Sequence, residues 1–116
     1  MTSKIKILIA EDDNDLRHSL ADLLIEEGYD IIEVAEAGKI LDVVTREKPN
    51  VLILDISLPD GDCYEICRKI KEIQGAGIRI ILYSGYIDYE KAKVAGADEC
   101  LLKGCDVLEL MKTIKA

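Results

Sequence analysis

Short apolar runs alternate with helix-like stretches five times along this chain, and the alternation restricts the folds open to it. The predicted strands are residues 4–10, 30–35, 51–54, 78–83 and 99–102. After each strand, apolar residues recur at helical spacing, within residues 14–27, 37–44, 63–70, 88–95 and 107–114. Strands that alternate with helices predict a parallel sheet with helices packed on both of its faces.

The architecture that follows is a doubly wound open sheet, because right-handed crossovers place successive helices on its two faces. We predict a (βα)5 fold with the flavodoxin-like strand order 2-1-3-4-5. A TIM barrel needs about 200 residues or more, and this chain has 116. No linker, repeat or low-complexity segment interrupts the pattern, so we predict one domain over residues 1–116.

The charge balance is acidic, since 23 Asp and Glu residues against 15 Lys and Arg residues give a net charge of −8. Such a surface repels phosphate backbones, so we expect no direct nucleic-acid binding. No apolar run approaches the ~18 residues that span a bilayer. The first six residues also lack the apolar stretch of a signal peptide. We therefore expect a cytoplasmic protein without membrane contact, with its four cysteines reduced.

Polar residues follow four of the five predicted strands. Glu11-Asp12-Asp13 follows the first strand and Asp55 the third, while Ser84 follows the fourth and Lys103 the fifth. In open parallel sheets the functional crevice lies at the carboxyl ends of the strands. The fold therefore predicts that carboxylates, one hydroxyl and one ammonium group converge there.

This set of groups suits phosphoryl transfer to an aspartate. Converging carboxylates repel one another unless a cation intervenes, and oxygen ligands together with phosphate favour Mg²⁺. A carboxylate beside the ion can attack phosphorus and form an aspartyl phosphate. Taken singly, each segment also fits a simpler reading: 11–13 as a solvated turn that caps a helix, and Asp55 as a helix N-cap. The combination at four strand ends favours the chemical reading.

The same segments resemble the receiver domain of two-component response regulators over essentially the whole length. The resemblance lies in the first strand with its acidic pair (6–13), the strand and loop around Asp55 (51–61), Ser84-Gly85, and the last strand (95–98 and 101–103). It implies that Asp55 is the phosphoacceptor and that Ser84 and Lys103 contact the phosphoryl oxygens. It also implies a histidine kinase or phosphotransfer protein as donor. The implied Mg²⁺ ligands are Asp12 directly, Glu11 through water, Asp55 itself and the backbone carbonyl of Ser57.

Three departures from the family pattern lie on the face formed by the fourth helix, the fifth strand and the fifth helix, and not at the acidic site. The resemblance implies that this face is the signalling surface. Cys100 stands where the family usually carries an aromatic switch residue. Gly104 replaces the usual proline after the lysine, and the interval from Ser84 to Lys103 is about one helical turn shorter than the family norm. We therefore predict a short fourth helix and an altered output.

Other functions are left open by the sequence. A phosphorylation-independent interaction module would use the same scaffold, and the altered switch positions favour it somewhat. An aspartate-nucleophile phosphatase would need a second Asp where Ser57 stands, and a flavin protein would need a phosphate-binding loop after the first strand, where this chain is acidic. The sequence is compatible with a free-standing receiver and with a piece of a larger regulator or hybrid kinase.

Several residues that attract attention receive simpler predictions. Cys63 and Cys67 lie on the apolar stripe of the third helix, so we predict buried thiols and no metal site. His18 is predicted at the surface of the first helix. Tyr86, two residues after Ser84, is expected to shield an acyl phosphate from water.

Overall fold

A five-stranded parallel β-sheet forms the centre of the computed structural model, which describes residues 4–74, 77–104 and 107–116. The strands are β1 (Lys6–Ala10), β2 (Asp30–Val34), β3 (Val51–Leu54), β4 (Arg79–Ser84) and β5 (Glu99–Leu102). Their order across the sheet is β2-β1-β3-β4-β5, and every pairing is parallel. The predicted fold class and strand order are confirmed.

A helix follows each strand within the described residues. The helices are α1 (Asn14–Glu26), α2 (Ile40–Glu47), α3 (Cys63–Gln74), α4 (Tyr89–Ala95) and α5 (Val107–Lys115), and a 3-10 turn at Ala37–Lys39 leads into α2. With seven residues, α4 is as short as predicted. None of the helices in the described ranges has the length and hydropathy needed to cross a bilayer.

Two apolar cores lie on opposite faces of the sheet, because successive side chains of a strand point to opposite sides. In β1, Ile7 and Ile9 belong to the core beneath α1 and α5. Leu8 and Ala10 belong to the core beneath α2, α3 and α4. All four residues of β3 are buried, as expected for a central strand covered on both faces. Each buried Leu or Ile contributes about 1.5–3 kcal/mol, which holds the strand ends of the sheet in fixed positions.

The buried face of α1 differs from the predicted one. The sequence pattern suggests a stripe of Leu16, Leu20, Leu23 and Leu24, whereas the buried residues of this helix are Arg17, Leu20, Ala21 and Leu24. Leu23 is 39% exposed. The helix is thus rotated so that a guanidinium group, and not Leu23, faces the sheet. That rotation brings Arg17 to the acidic end of β1.

Capping residues of the expected types lie at the ends of the helices near the site. The Asp13 side chain accepts a hydrogen bond from the Leu16 amide at the start of α1, and the Asp88 side chain accepts one from the Lys91 amide at the start of α4. Gly96, with φ +87°, closes α4 in the left-handed region that glycine favours. Asp106, whose type and place before the fifth helix predict an N-cap, lies outside the described residues, as does the fourth cysteine, Cys105.

The loop after β3 is tied to the start of α2. The Asp60 carboxylate accepts hydrogen bonds from the backbone amides of Ala37 (2.8 Å) and Gly38 (3.0 Å). These bonds hold the pKa of Asp60 below its ordinary value. A Cβ on Gly61 would lie 2.9 Å from the Ala37 methyl group, so the two segments approach more closely than a larger residue permits.

Candidate functional site

The strand ends that the sequence singles out meet at one edge of the sheet. Asp55 after β3, Ser84 at the end of β4 and Glu11 after β1 are buried, with exposed fractions of 2%, 1% and 5%. Asp12 is exposed. Carboxylate oxygens of Glu11, Asp12 and Asp55 all lie within 4.8 Å of one another. The structure therefore brings together the acidic residues that were predicted to converge.

Asp55 accepts hydrogen bonds on both carboxylate oxygens. Its Oδ1 accepts from the Ser57 amide (2.9 Å), the Ser57 hydroxyl (2.7 Å) and the Ser84 hydroxyl (2.8 Å). Its Oδ2 accepts from the Lys103 ammonium group (2.7 Å). Burial on its own raises the pKa of Asp55, but these bonds outweigh it and lower the pKa to about 2. Asp55 is consequently a buried carboxylate that is fully ionised at neutral pH.

Lys103 connects three strand ends. Its ammonium group lies 2.5 Å from Glu11 Oε1 and 2.7 Å from Asp55 Oδ2. Its backbone amide donates to the Ser84 carbonyl oxygen at 2.8 Å. Burial lowers the pKa of Lys103, yet the two carboxylates raise it by more, so the net change is upward. The lysine stays charged and links β5 to β1, β3 and β4 at the site.

Glu11 is held in place by the loop that follows it. Its Oε2 accepts a hydrogen bond from the Asp13 amide at 3.0 Å. Burial is the largest influence on its pKa and raises it, and the nearby Asp55 charge adds to the effect. Lys103 and the Asp13 amide counteract only part of this increase. Glu11 is therefore more easily protonated than Asp55, although both contact the same lysine.

Arg17, a buried residue of α1, forms hydrogen bonds that stabilise the acidic loop after β1. Its guanidinium group donates to the Glu11 carbonyl oxygen (2.8 Å), to Asn14 Oδ1 (2.8 Å) and to Glu33 Oε1 on β2 (3.2 Å). Sequence reasoning missed this role. The sequence does carry a signal for it. Leu20, Ala21 and Leu24 follow Arg17 at positions i+3, i+4 and i+7, so the arginine shares one helix face with apolar residues. His18 is exposed as predicted, 3.3 Å from Glu33.

The site can accommodate a hard cation. Glu11, Asp12 and Asp55 offer oxygen donors within one small region, which is the ligand chemistry that Mg²⁺ prefers. If all three carboxylates are ionised, the Lys103 ammonium group offsets only one of their charges. The remaining negative charge attracts a divalent ion, and the exposed Asp12 leaves the site open to solvent.

Ser57 contributes more than was predicted. Its amide and its hydroxyl both contact Asp55, whereas the sequence reasoning considered only its backbone carbonyl. The carbonyl as a metal ligand stays a prediction. Asp13, which follows the acidic pair, caps α1 and orients Glu11 through its amide.

The altered switch positions make no described hydrogen bond to Asp55. Cys100 is half-buried against the core shared by α2, α3 and α4. Gly104 has φ +107°, a conformation that suits glycine. Tyr86 is 76% exposed and lines a cleft with Ser57 and Ser84. Its shielding of an acyl phosphate stays a prediction. Cys63 and Cys67 are buried free thiols, as predicted.

Comparison with known families identifies the class of protein that this fold and site define. The family model for the response regulator receiver domain matches residues 7–115. The chain belongs to this family. It is a receiver domain of two-component signal transduction, a class that is phosphorylated on aspartate, and a phosphorylation-independent module is not favoured.

Two relatives from Bacillus subtilis (strain 168) are similar to the chain over most of its length. The transcriptional regulatory protein YxdJ is 39% identical over 99 residues, which make up 84% of this chain but 43% of that protein. Sporulation initiation phosphotransferase F is 32% identical over 113 residues, 95% of this chain and 90% of that protein. The chain thus spans less than half the length of the first relative and most of the second.

A solved structure agrees with this assignment. The crystal structure of a CheY-like receiver domain protein from Methanospirillum hungatei JF-1 matches with a TM-score of 0.91 at 32% identity, covering 97% of this chain and 92% of that chain. Receivers of this family generally bind Mg²⁺ at an acidic pocket and interact with histidine kinases or phosphotransfer proteins. They generally act as signalling switches and not as enzymes.

Proposed function

We propose that Asp55 is the phosphoacceptor of this receiver, within a domain that extends over residues 1–116. The observation that carries the proposal is the state of its side chain. Asp55 is almost fully buried, its pKa is lowered to about 2, and it lies between a hydroxyl and an ammonium group. A carboxylate that served only as a helix cap would not need a lysine and two serines directed at it.

The transfer uses the Asp55 carboxylate as nucleophile. One of its oxygens attacks the phosphorus of a phosphohistidine, an O–P bond forms and the N–P bond breaks. The imidazole departs as a neutral ring when its second nitrogen already carries a proton. Because the pKa of Asp55 is so low, the attacking group needs no base to remove a proton from it.

Ser84 and Lys103 then stabilise the product. Both already donate hydrogen bonds to Asp55, at 2.8 and 2.7 Å. A short rotation of each side chain directs the hydroxyl and the ammonium group to the oxygens of the attached phosphoryl group. Donors that are in place before the reaction stabilise developing charge without a large reorganisation.

The cation that the acidic cluster suits is Mg²⁺, held by Glu11, Asp12, Asp55 and the Ser57 backbone carbonyl. When bound, Mg²⁺ neutralises charge on the transferring phosphoryl oxygens. Asp12 and Glu11 would contribute by supplying carboxylate oxygens for the ion within 4.8 Å of an oxygen of Asp55. Arg17 and the Asp13 amide maintain the position of Glu11 throughout.

The phosphodonor in this proposal is a histidine kinase or phosphotransfer protein, and the domain itself is a switch without turnover of a separate substrate. Its own dephosphorylation is the one hydrolysis we attribute to it. The proposal includes a cytoplasmic location, which agrees with three free cysteines among the described residues. It also includes no direct nucleic-acid binding, in line with the net charge of −8.

The test is labelling with acetyl phosphate or phosphoramidate in the presence of Mg²⁺. We expect one phosphoryl group per chain, as an acyl phosphate that is lost on treatment with hydroxylamine. Chelation of Mg²⁺ and the substitution Asp55→Asn should each abolish the label.

The matched control is Asp60→Asn, which changes the nearest other aspartate of the same loop. Its side chain accepts hydrogen bonds from Ala37 and Gly38 and has no described contact with Asp55. This variant should be labelled like the wild-type chain. Undiminished labelling of Asp55→Asn would refute the assignment.

A further inference from the structure

The ring that usually couples a receiver's active site to its output face is missing here, since Cys100 occupies its position. An aromatic residue approaches the same region from α3. Tyr64, in the first turn of α3, packs with Cys100 against the core shared by α2, α3 and α4. Tyr64 also lines the cleft that contains Ser57 and Ser84.

The Tyr64 hydroxyl is bonded to the segment that leaves the site. It accepts a hydrogen bond from the Asp88 amide at 2.7 Å. Asp88 is the N-cap of α4 and lies four residues after Ser84. The ammonium group of Lys91, in the first turn of α4, lies 6.0 Å from the centre of the Tyr64 ring. One side chain of α3 therefore contacts both the cap and the first turn of α4.

A second contact holds the other end of α4 to the same helix. The Cys67 thiol donates to the Ala95 carbonyl oxygen at 3.5 Å. Tyr64 and Cys67 are three residues apart and share one face of α3. The seven-residue α4 is thus attached to α3 at its beginning and at its end, and not to a ring on β5.

Both connections of Tyr64 lead back to Asp55. The loop from Asp55 runs into α3, where Asp62 accepts a hydrogen bond from the Tyr64 amide at 3.1 Å. On the other side, Ser84 contacts Asp55 directly and continues into Asp88. Movement of the Ser84 hydroxyl toward a phosphoryl group therefore acts on the residue that Tyr64 holds.

We infer that Tyr64 replaces the missing β5 ring as the residue that couples the state of Asp55 to α4, an inference that rests on the proposed function. In the resting protein the hydrogen bond from the Asp88 amide to the Tyr64 hydroxyl retains α4 in its present position. When Ser84 turns to the phosphoryl group, the segment from Ser84 to Asp88 moves and this bond is released. The groove between α3 and α4, which Tyr64, Lys91 and Val94 line, changes shape as a result.

The experiment compares amide NMR spectra of the whole chain with and without Mg²⁺ and beryllofluoride, a phosphoryl mimic. Tyr64→Phe removes only the hydroxyl group, so the resting position of α4 loses its hydrogen bond. The equilibrium between the resting and activated positions should shift about fivefold, the factor for one neutral hydrogen bond. In the free variant, the amide signals of Lys93 and Ala95, at the end of α4 away from the substituted hydroxyl group, should already lie part of the way along the line that beryllofluoride produces in wild type.

Tyr89→Phe is the matched control, because it removes a hydroxyl group from an exposed tyrosine of α4 itself. Its signals should follow those of wild type. The Ser57 and Gly85 amides report binding at the site in every variant. If they shift normally while the α4 signals of Tyr64→Phe coincide with those of wild type, or move off the line, the inference is wrong and the proposed function stands. If they do not shift even in wild type, the proposed function itself fails.

Discussion

The ammonium group of Lys103 lies 2.7 Å from a carboxylate oxygen of Asp55, although 48 residues separate the two in the sequence. The pair forms because β3 and β5 end at the same edge of the sheet on either side of β4. It offsets the unfavourable burial of the Asp55 charge, and with the serine hydrogen bonds it lowers the pKa of Asp55 to about 2. The resting site is thus organised around an internal ion pair.

Removing this ammonium group should raise the pKa of Asp55. In Lys103→Met, burial continues to disfavour the charged carboxylate while the largest opposing interaction is lost. We expect the Asp55 pKa to move above 2 and the Glu11 pKa to rise further above its ordinary value, measured by carbonyl-detected NMR titration. Lys112→Met, which removes an exposed lysine of α5, is the charge-matched control. An unchanged titration of Asp55 in the Lys103 variant would show that the serines alone set its pKa.

The pH dependence of stability should carry the signature of Asp55. Its folded pKa of about 2 lies below the ordinary 3.8, so its contribution is fully present above pH 3.8 and is lost as the pH falls toward 2. The size is about 2 kcal/mol. Urea unfolding at a series of pH values should show a steeper loss in this window for wild type than for Asp55→Asn, and equal slopes would contradict the prediction.

Glu11 should act in the opposite direction and in another pH range. Its pKa is raised above the ordinary 4.5, so its contribution is present below pH 4.5 and is lost as the pH rises through its folded pKa. Glu11→Gln should therefore flatten the stability profile above pH 4.5 and leave the acid window of Asp55 in place. If Glu11→Gln instead flattened the stability profile between pH 2 and pH 3.8, the two carboxyl groups would titrate in the reverse order.

Loss of the Arg17 guanidinium group should weaken both the fold and the acidic loop. Arg17→Met removes the donor to the buried Glu11 carbonyl and one of the two basic side chains beside the Glu33 carboxylate, the other being His18. The expected cost is about 2 kcal/mol in urea unfolding, the scale of unsatisfied buried polar groups. A Mg²⁺ titration followed by NMR should show weaker binding. Arg46→Met removes an exposed arginine of α2 and should change neither. Normal Mg²⁺ affinity in a destabilised Arg17 variant would confine Arg17 to a purely structural role.

A methyl group on Gly61 should force apart the Asp55 loop and the start of α2. Its Cβ would lie 2.9 Å from the Ala37 Cβ, so Gly61→Ala should cost about 1–3 kcal/mol, as overpacking does. Gly77→Ala is the control, because its Cβ meets nothing within 4 Å. Thermal unfolding measures both variants, and similar melting temperatures for the two would indicate that the loop yields easily.

The sequence predicted the fold and the convergence of the polar strand ends because both follow from rules about parallel sheets. Five alternations of strand and helix define the element order. Because the carboxyl ends of parallel strands meet at one edge of the sheet, Asp55, Ser84 and Lys103 can be predicted to lie together without knowledge of side-chain geometry. In α1 the predicted apolar stripe holds at Leu20 and Leu24 but not at Leu23, which is exposed although it is as apolar as the buried residues. Arg17 takes a place on the buried face instead, where its guanidinium group bonds the Glu11 carbonyl and Glu33.

Contacts that polar side chains make between different helices, strands and loops could not be predicted from the sequence. The Ser57 hydroxyl on Asp55 and the Tyr64 hydroxyl on Asp88 depend on loop conformations a few residues long. Periodicity describes which face of a helix is buried, but not which atom of a neighbouring loop a hydroxyl group meets.

The attachment of α4 to α3 at two points has an evolutionary consequence. One added turn would lengthen α4 by about 5.4 Å and carry the Ala95 carbonyl out of reach of the Cys67 thiol. Homologues in which this helix is longer should therefore lack the Tyr64–Cys67 pair, and homologues that have the pair should also have the short α4. Helix length and the composition of one face of α3 would then be inherited together, as a single trait that an alignment of related receivers can reveal.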